Sequence, residues 1–567
     1  MPTMPLRSSF ARCWTRIKRA EFLVSICCAC RAAPAGAAGE LFLNLIVGDL
    51  RIPIELDGMP EYVRVLSGVL GIPAENIRVA RLLCKTLDIR DKEQFYYDIS
   101  LLVAVPDNFV NKDKFSVLDD QISLPPAPAR RSNARPVIIG FGPAGMFAAL
   151  ELLERGIPPL IFERGRKIEE RLLDIREFIQ KKTLNEESNI QFGEGGAGAY
   201  SDGKLFSRAD NSRHVKKVLD TFIRFGAPPE IAYIAKPHVG TDVLCAIARN
   251  IRNYILERGG EIVFNSRLTD ILLVDGAVSG AVINGEKEYR CAELYLAVGH
   301  SARDTFKLLL DKGFALEQRP VAVGLRIEHP AGLINSLRYG EKYKNYPGLG
   351  AATYSFNYTD RALRRGAYTF CMCPGGEVVN ASSSNGLLAV NGMSASRRDS
   401  PFSNAALVVT THAGDYGSAS ALAGLEFQKT IERKAFAAGG GNWQVPAQTL
   451  PDFLRGASSY SLPENSCATG TAPADMREIL PEFVCGVLSD AFAKWKEEAP
   501  LFVSDQALLL GPETRTSCPV KILRGENYQS VSCRNLYPIG EGAGYAGGIT
   551  SSATDAIKAV ESRFAPV

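Results

Sequence analysis

The sequence predicts an α/β protein. A Rossmann-type dinucleotide-binding domain is built from two separated segments, with an inserted α+β domain between them and a small α+β domain in front. Three observations predict this. Residues 136–146 place Gly140, Gly142 and Gly145 in the G-x-G-x-x-G spacing, between an apolar run and an Ala- and Leu-rich run at helical spacing. A second apolar run, Leu160-Ile161-Phe162, ends in Glu163. Near the other end, residues 535–552 again read as strand, Gly/Glu turn and helix start. The expected divisions are 1–38 (a basic extension), 39–123 (the small domain), 124–135 (a linker), 136–317 and 511–567 (the two nucleotide-binding segments), and 318–510 (the insert).

Each glycine of the first corner has its own task. Gly140 lets the chain turn, Gly142 lets backbone approach a pyrophosphate, and Gly145 lets helix pack on strand. Pro143 falls in the first helical turn, where its missing N–H costs little. Ala144 follows it there. The unpaired N–H groups and the helix dipole favour an anion at that point. Glu163 is placed to accept hydrogen bonds from a ribose diol and to repel a 2′-phosphate, which favours FAD or NAD over NADP.

Composition narrows the function classes. A chain of 567 residues has room for three or four domain-sized units. The net charge of +3 gives no reason to invoke a nucleic-acid partner. No apolar run approaches the roughly 20 residues of a spanning helix, so stable membrane insertion is not expected. Thirteen cysteines without paired zinc-type spacing read as reduced thiols. Five histidines form no H-x-x-x-H pair, so no metal site is expected.

Residues 1–38 set Arg7, Arg12, Arg16, Lys18, Arg19 and Arg31 against the one acid Glu21. That composition suits an organelle transit peptide, a disordered extension or an unused upstream start. The expected location is cytoplasmic, or a plastid or mitochondrion if this stretch is a transit peptide. Cys27, Cys28 and Cys30 lie inside it. Residues 41–46 and 52–56 alternate as strands about a turn at Asp49, 62–70 has helical spacing, and 77–83 and 95–103 read as strands. The Pro- and Arg-rich residues 124–135 read as an extended linker.

After Glu163 a charged helix is expected over 167–182. Residues 189–205 then carry many glycines before a polar cluster. They are either backbone approaching a flat ring closely or a flexible loop. A helix follows over 244–258, then strands over 261–264, 268–274 and 278–283, with Asp275-Gly276 as a hairpin turn. The 294–303 stretch is a strand running into Gly299, with His300 as either a lining or a structural residue. In the insert, the strand-like residues 368–379 contain Cys371-x-Cys373. A disulfide across one residue is awkward there, leaving buried packing or a reactive thiol. Ser382–Ser384, Asn391–Ser394 and Arg397–Asp399 offer polar groups to a substrate. At the last corner, residues 547–550 put backbone N–H groups at a helix N-terminus, and Glu541 precedes them.

On these segments, with Lys236-Pro-His-Val-Gly-Thr241, Ala297–Asp304, Phe370–Gly376, Asn391–Ser394, Pro446–Gln448, Thr514–Ser517 and Gly540–Thr550, the chain resembles the large bacterial-type family of FAD-dependent dehydrogenases, the NAD(FAD)-utilising dehydrogenases. The matching stretches run from residue 77 to the end. The resemblance implies a glutathione-reductase-like FAD domain. It places Gly140, Gly142, Pro143, Ala144 and Gly145 on the pyrophosphate, Glu163 on the adenosine ribose, and Glu541, Gly548 and Ile549 near the flavin. Arg164, Gly195, Gly196, Ser201, Gly203, Lys204, Gly299, Gly540 and Thr550 complete the expected cofactor site.

The expected activity is hydride transfer between a small molecule and flavin N5. NAD(P)H is a transient reductant reaching the flavin through the substrate cleft. Lys204, His300, Arg326, Cys371, Cys373 and Arg397 are the candidate substrate-side residues. The rival readings are a flavin-dependent RNA- or thiazole-modifying enzyme and a non-catalytic FAD-binding protein. Substrate and oligomeric state are not legible.

Overall fold

A computed structural model describes residues 42–117, 135–205 and 213–564. The basic extension 1–38, with its cysteines, and all of the expected linker except Arg135 lie outside the described residues. The described chain divides into two units.

The smaller unit is a four-stranded sheet in the order Arg78–Asp88, Tyr96–Pro106, Phe42–Pro53, Ser116–Val117. The helix Met59–Leu70 buries Tyr62, Leu66 and Leu70. Their spacing of four lays one apolar stripe on the core, each side chain contributing about 1.5–3 kcal/mol of burial. Gly71, at φ +66, ends the helix in the left-handed conformation that glycine adopts without strain.

The hairpin expected about Asp49 is instead one strand. Phe42–Pro53 pairs with Tyr96–Pro106 along its length, and its register shifts between Val47 and Leu50. Leu45 and Val47 face the core before the shift, and Leu50 and Ile52 after it. Inserting a bulge restores the buried face when the apolar residues change parity. Residues 230–237 also belong to this unit, beyond the expected 39–123. Lys85 N–H donates to Tyr233 O (2.8 Å) and Ala235 N–H donates to Lys85 O (3.3 Å).

The larger unit contains a five-stranded sheet in the order Leu536–Pro538, Leu294–Leu296, Val137–Ile139, Leu160–Phe162, Glu261–Val263. Each pairing is parallel. The inner strands are apolar throughout because helices cover both faces of such sheets. Tyr295 and Tyr537 are register partners and stack with ring centroids 4.8 Å apart. The last strand of the chain thus lies in the same sheet as the first glycine-rich strand. The helices Pro143–Glu154 and Ile549–Arg563 pack against each other.

A second sheet of seven strands occupies the insert, in the order Asn357–Asp360, Arg365–Cys373, Phe402–Thr410, Ala322–Pro330, Leu508–Glu513, Val445–Thr449, Thr471–Pro473. The expected boundary at 510/511 falls inside Leu508–Glu513, so Glu513 goes with this sheet. The strand expected over 368–379 is broken. Arg365–Cys373 ends at a turn, and Glu377–Asn380 starts a hairpin with Val390–Met393. A smaller antiparallel sheet, Leu268–Val274, Ala277–Ile283 and Lys287–Arg290, carries the expected Asp275-Gly276 turn, with both residues at positive φ. Among the described residues no helix is long and apolar enough to cross a membrane.

Candidate functional site

The strand Val137–Ile139 is fully buried, and the chain leaves it through Gly140 at φ +99. A side chain at Gly140 would meet Ala297 O at 2.4 Å, and one at Gly145 would meet Gly140 O at 1.9 Å. Both glycines are required by the protein's own packing. Gly142 differs. A Cβ there would meet no protein atom nearer than Gly196 Cα at 3.5 Å, an ordinary contact, and Gly142 lines a cleft. Room at Gly142 therefore serves whatever occupies the cleft. Gly142 is the N-cap of Pro143–Glu154, which has no acid in its first turn and no side-chain cap. The N–H groups of that turn and the positive end of its dipole are left for an anion.

The last corner repeats this. Gly548 caps Ile549–Arg563, again with no side-chain cap and no acid in the first turn. Gly540, at φ +74, donates its N–H to Asp555 Oδ2 (2.8 Å), and Arg524 clamps that carboxylate at 2.5 and 3.0 Å. Both helix ends open on one cleft of about 1750 Å³ of empty space, part of it open to solvent.

The cleft is lined by Gly140, Gly142, Pro143, Ala144, Glu163, Arg164, Gly196, Ser201, Gly203, Lys204, Gly299, Glu541, Gly548 and Ile549, together with His300 and Cys371. Gly145, Gly195, Gly540, Thr550 and Cys373 do not line it. Gly195, at φ +86, packs against Ala199, and Gly540 packs against Ala144. Thr550 donates its hydroxyl to Leu205 O at 2.8 Å. Arg397 is exposed; its neighbour Arg398 points inward instead.

Glu163 is 4% exposed. Its Oε2 accepts Phe141 N–H (2.7 Å), and its Oε1 accepts Gly165 N–H (2.9 Å) and Gly193 N–H (3.0 Å). A carboxylate has about four acceptor positions. Three are taken by backbone, which leaves room for one further donor such as a ribose hydroxyl.

The glycine segment is held in place. The buried Arg171 guanidinium donates to Asn189 O (2.8 Å), Ile190 O (3.0 Å), Glu194 O (2.6 Å) and Gly196 O (3.0 Å). Gly193, Gly195, Gly196 and Gly203 all have positive φ. Of the two readings of residues 189–205, the structure supports fixed backbone at the cleft wall.

One side of the cleft is strongly charged. Asp202, 1% exposed, is paired with Lys204 Nζ at 2.8 Å and with Arg398 Nη2 at 2.5 Å, and it accepts the Ser394 hydroxyl. Burial works against both charges. For Asp202, Lys204 and Arg398 outweigh it and hold the carboxyl below its usual range. For Lys204, Cys371, Cys373 and Asp202 outweigh it and raise the amine. Burial and the nearby Arg398 push His238 down to about 4, so it is neutral.

Behind this wall, Arg326 is fully buried and forks onto Glu513 at 2.7 and 3.2 Å. It also donates to Asn404 Oδ1 (2.7 Å), Asn391 Oδ1 (2.9 Å) and Cys371 O (3.3 Å). A side chain at Gly392 would meet Arg326 Nη1 at 2.2 Å, which explains the glycine of Asn391-Gly-Met-Ser.

Arg515, of the Thr514–Ser517 stretch, also lines the cleft. It reaches Ser383 Oγ (2.7 Å) and Ser301 Oγ (3.3 Å). The fully buried Glu432 pairs with it at 3.0 and 3.1 Å and with Arg303 at 2.8 and 2.9 Å. One of two Glu residues in the helix Ala423–Ala438, Glu432 carries no local signal of this pairing. His300 Nδ1 stands 3.4 Å from Glu541 Oε1, and its buried Nε2 has no hydrogen-bond partner. Among the described residues no cluster of His, Cys, Asp or Glu has the makings of a metal site.

Residues 320–516 match the family described as "FAD-dependent protein, C-terminal domain-like". An uncharacterised protein of Clostridium beijerinckii is 42% identical over 505 residues, covering 87% of this chain and 93% of that protein. Among solved structures, CtdE in complex with FAD has a TM-score of 0.30 at 11% identity, over 76% of this chain and 83% of that one. The flavin-dependent brominase Bmp2 has a TM-score of 0.35 at 14% identity, over 75% and 76%. The Escherichia coli quinol fumarate reductase subunit FrdA has 0.32 at 13%, over 76% and 70%. At this depth of likeness no residue role or substrate transfers.

Proposed function

The chain belongs to the FAD-dependent family that this C-terminal domain marks, and on that premise we propose that it is an FAD-dependent oxidoreductase acting on a small molecule. The observation that carries the reading is that the first and last glycine corners, far apart in sequence, open two uncapped helix N-termini on one cleft. FAD, when bound, supplies hydride exchange at its N5.

The chain's own residues bind, orient and balance charge. The Pro143–Glu154 N-terminus and Gly142 would hold the pyrophosphate. Glu163 would keep one acceptor position for a ribose hydroxyl. The Ile549–Arg563 N-terminus would meet negative charge at the flavin's pyrimidine edge. Lys204, Cys371, Asn391, Arg515 and Thr516 form a polar wall where a substrate would lie. His300, beside Glu541, is placed to hold or pass a proton. A nicotinamide remains a candidate donor.

An absorption spectrum of the purified protein tests the first half, and a colourless protein that takes up no FAD would end the reading. The second half is tested by anaerobic titration with NADH, NADPH and a panel of small organic donors. Bleaching of the flavin band by one of them is the expected result.

A further inference from the structure

One cluster in the larger unit is not used by hydride transfer alone. Cys371 lines the cleft, and the fully buried Cys373 sits behind it. The pairing of Arg365–Cys373 with Phe402–Thr410 shifts register between Phe370 and Cys373, and Cys371 sits at φ +43. The break takes the pair out of the regular strand alternation that makes a bridge across one residue awkward, and it sets the Cys373 thiol to donate to the Cys371 carbonyl at 3.3 Å. Cys373 needs the glycine at 376, where a Cβ would stand 2.9 Å from its own.

The charges around the pair do not cancel without it. Lys204, Arg326 and Arg398 bring three positive charges, Asp202 and Glu513 two negative ones, and His238 is neutral. One positive charge is left over at the cleft wall, and a positive charge beside a thiol favours its thiolate. A single thiolate shared by the two cysteines balances it. Asn404 adds a buried Nδ2 with no hydrogen-bond partner beside Arg326.

We propose that Cys371 and Cys373 are a redox dithiol that reduces a small disulfide entering the cleft. The Cys371 thiolate attacks one sulfur of the disulfide. A bond forms between Cys371 and that sulfur, the substrate's S–S bond breaks, and the first thiolate leaves, taking a proton from solvent. Cys373 gives its proton to the second leaving sulfur and attacks Cys371. A Cys371–Cys373 disulfide forms and the second thiol departs. Two electrons pass from the cysteines to the substrate. Their return from reduced flavin rests on the reading above; the exchange itself does not.

The titration behaviour agrees. The hydrogen bond from Cys373 lowers the Cys371 thiol, and Lys204 and Arg326 add to this against burial. The same hydrogen bond pushes Cys373 up. Thiolate character governs attack on a disulfide.

The test uses the full chain and mass spectrometry of its peptides. With iodoacetamide at about pH 6, Cys371 should label about tenfold faster than an ordinary thiol. Lys204→Met should move the midpoint of its labelling profile to higher pH. With glutathione disulfide as the probe, the wild type should lose two hydrogens as a Cys371–Cys373 disulfide. Cys373→Ser should accumulate one glutathione on Cys371, and Cys371→Ser should accumulate none. Slow labelling of Cys371 in the wild type, or no trapped glutathione in a folded Cys373→Ser, overturns the proposal. The flavin band is recorded on the same samples. Yellow protein with inert cysteines sinks the dithiol alone, and colourless protein with exchanging cysteines sinks the flavin reading alone.

Discussion

Phe141 N–H donates to Glu163 Oε2 at 2.7 Å, tying the first glycine turn to the end of the neighbouring strand. Gly165 and Gly193 occupy the other oxygen of the same carboxylate. An acid expected to serve a ligand also holds together three pieces of backbone. Glu163→Gln keeps the shape but turns an NH2 toward at least one of these donors. A buried donor left unmet costs about 1–3 kcal/mol. The expected result is a lower midpoint in thermal unfolding, with FAD lost more readily on dialysis. An unchanged midpoint would show that the stitch is dispensable.

Gly142 and Gly145 separate binding from folding. Gly142→Ala adds a methyl that touches protein only at ordinary distance, at a φ of −86° that alanine accepts. The variant should fold with wild-type circular dichroism and bind FAD at least about tenfold more weakly, since close backbone approach to the pyrophosphate is lost. Gly145→Ala places its methyl 1.9 Å from Gly140 O, so it should fail to fold or unfold at much lower denaturant. Equal flavin affinity in Gly142→Ala and wild type would remove the pyrophosphate from this corner.

Glu432 pairs with Arg303 and Arg515 at once, and all three are largely buried. Glu432→Ala strands two guanidinium groups. Breaking a buried pair this way costs about 3–5 kcal/mol. Urea unfolding should show it, whereas Arg303→Ala, which leaves Glu432 paired with Arg515, should cost less.

Glu328 gives the fold a pH dependence. It is 2% exposed, and burial pushes it up to about 7, against hydrogen bonds from the Ser466 N–H at 2.9 Å and the Ser466 hydroxyl. The folded value lies above the unfolded one, so the native state holds the proton more tightly. Its contribution is fully present below the unfolded value and is lost as pH rises through the folded one. The loss is on the order of 3 kcal/mol between about pH 4 and pH 8. Glu328→Gln should remove this slope and be the more stable protein at about pH 8 by urea unfolding. A slope that survives the substitution would assign the effect elsewhere.

What was legible in the sequence was local. The G-x-G-x-x-G turn, the strand ending in Glu163 and the helix start after Gly548 each encode a backbone shape within a few residues. Glycine is demanded there by a turn or a close approach, and spacing alone reveals it. The bulge at Gly48-Asp49 was readable in principle from the change of parity between Val47 and Leu50, but a turn residue at that point reads equally well as a hairpin.

The sequence by itself determined where the chain turns sharply, which runs are buried, and that two distant corners have the build of a nucleotide site. Only the tertiary structure decided the partners. Arg398 rather than Arg397 meets Asp202, Glu432 joins Arg303 to Arg515, and Lys204 stands near Cys371. These ion pairs bridge segments 83 to 196 residues apart, so no local spacing records them. A buried charge is satisfied by whichever opposite charge the folded chain brings within reach, and that is a property of the packing of two sheets and not of any short stretch.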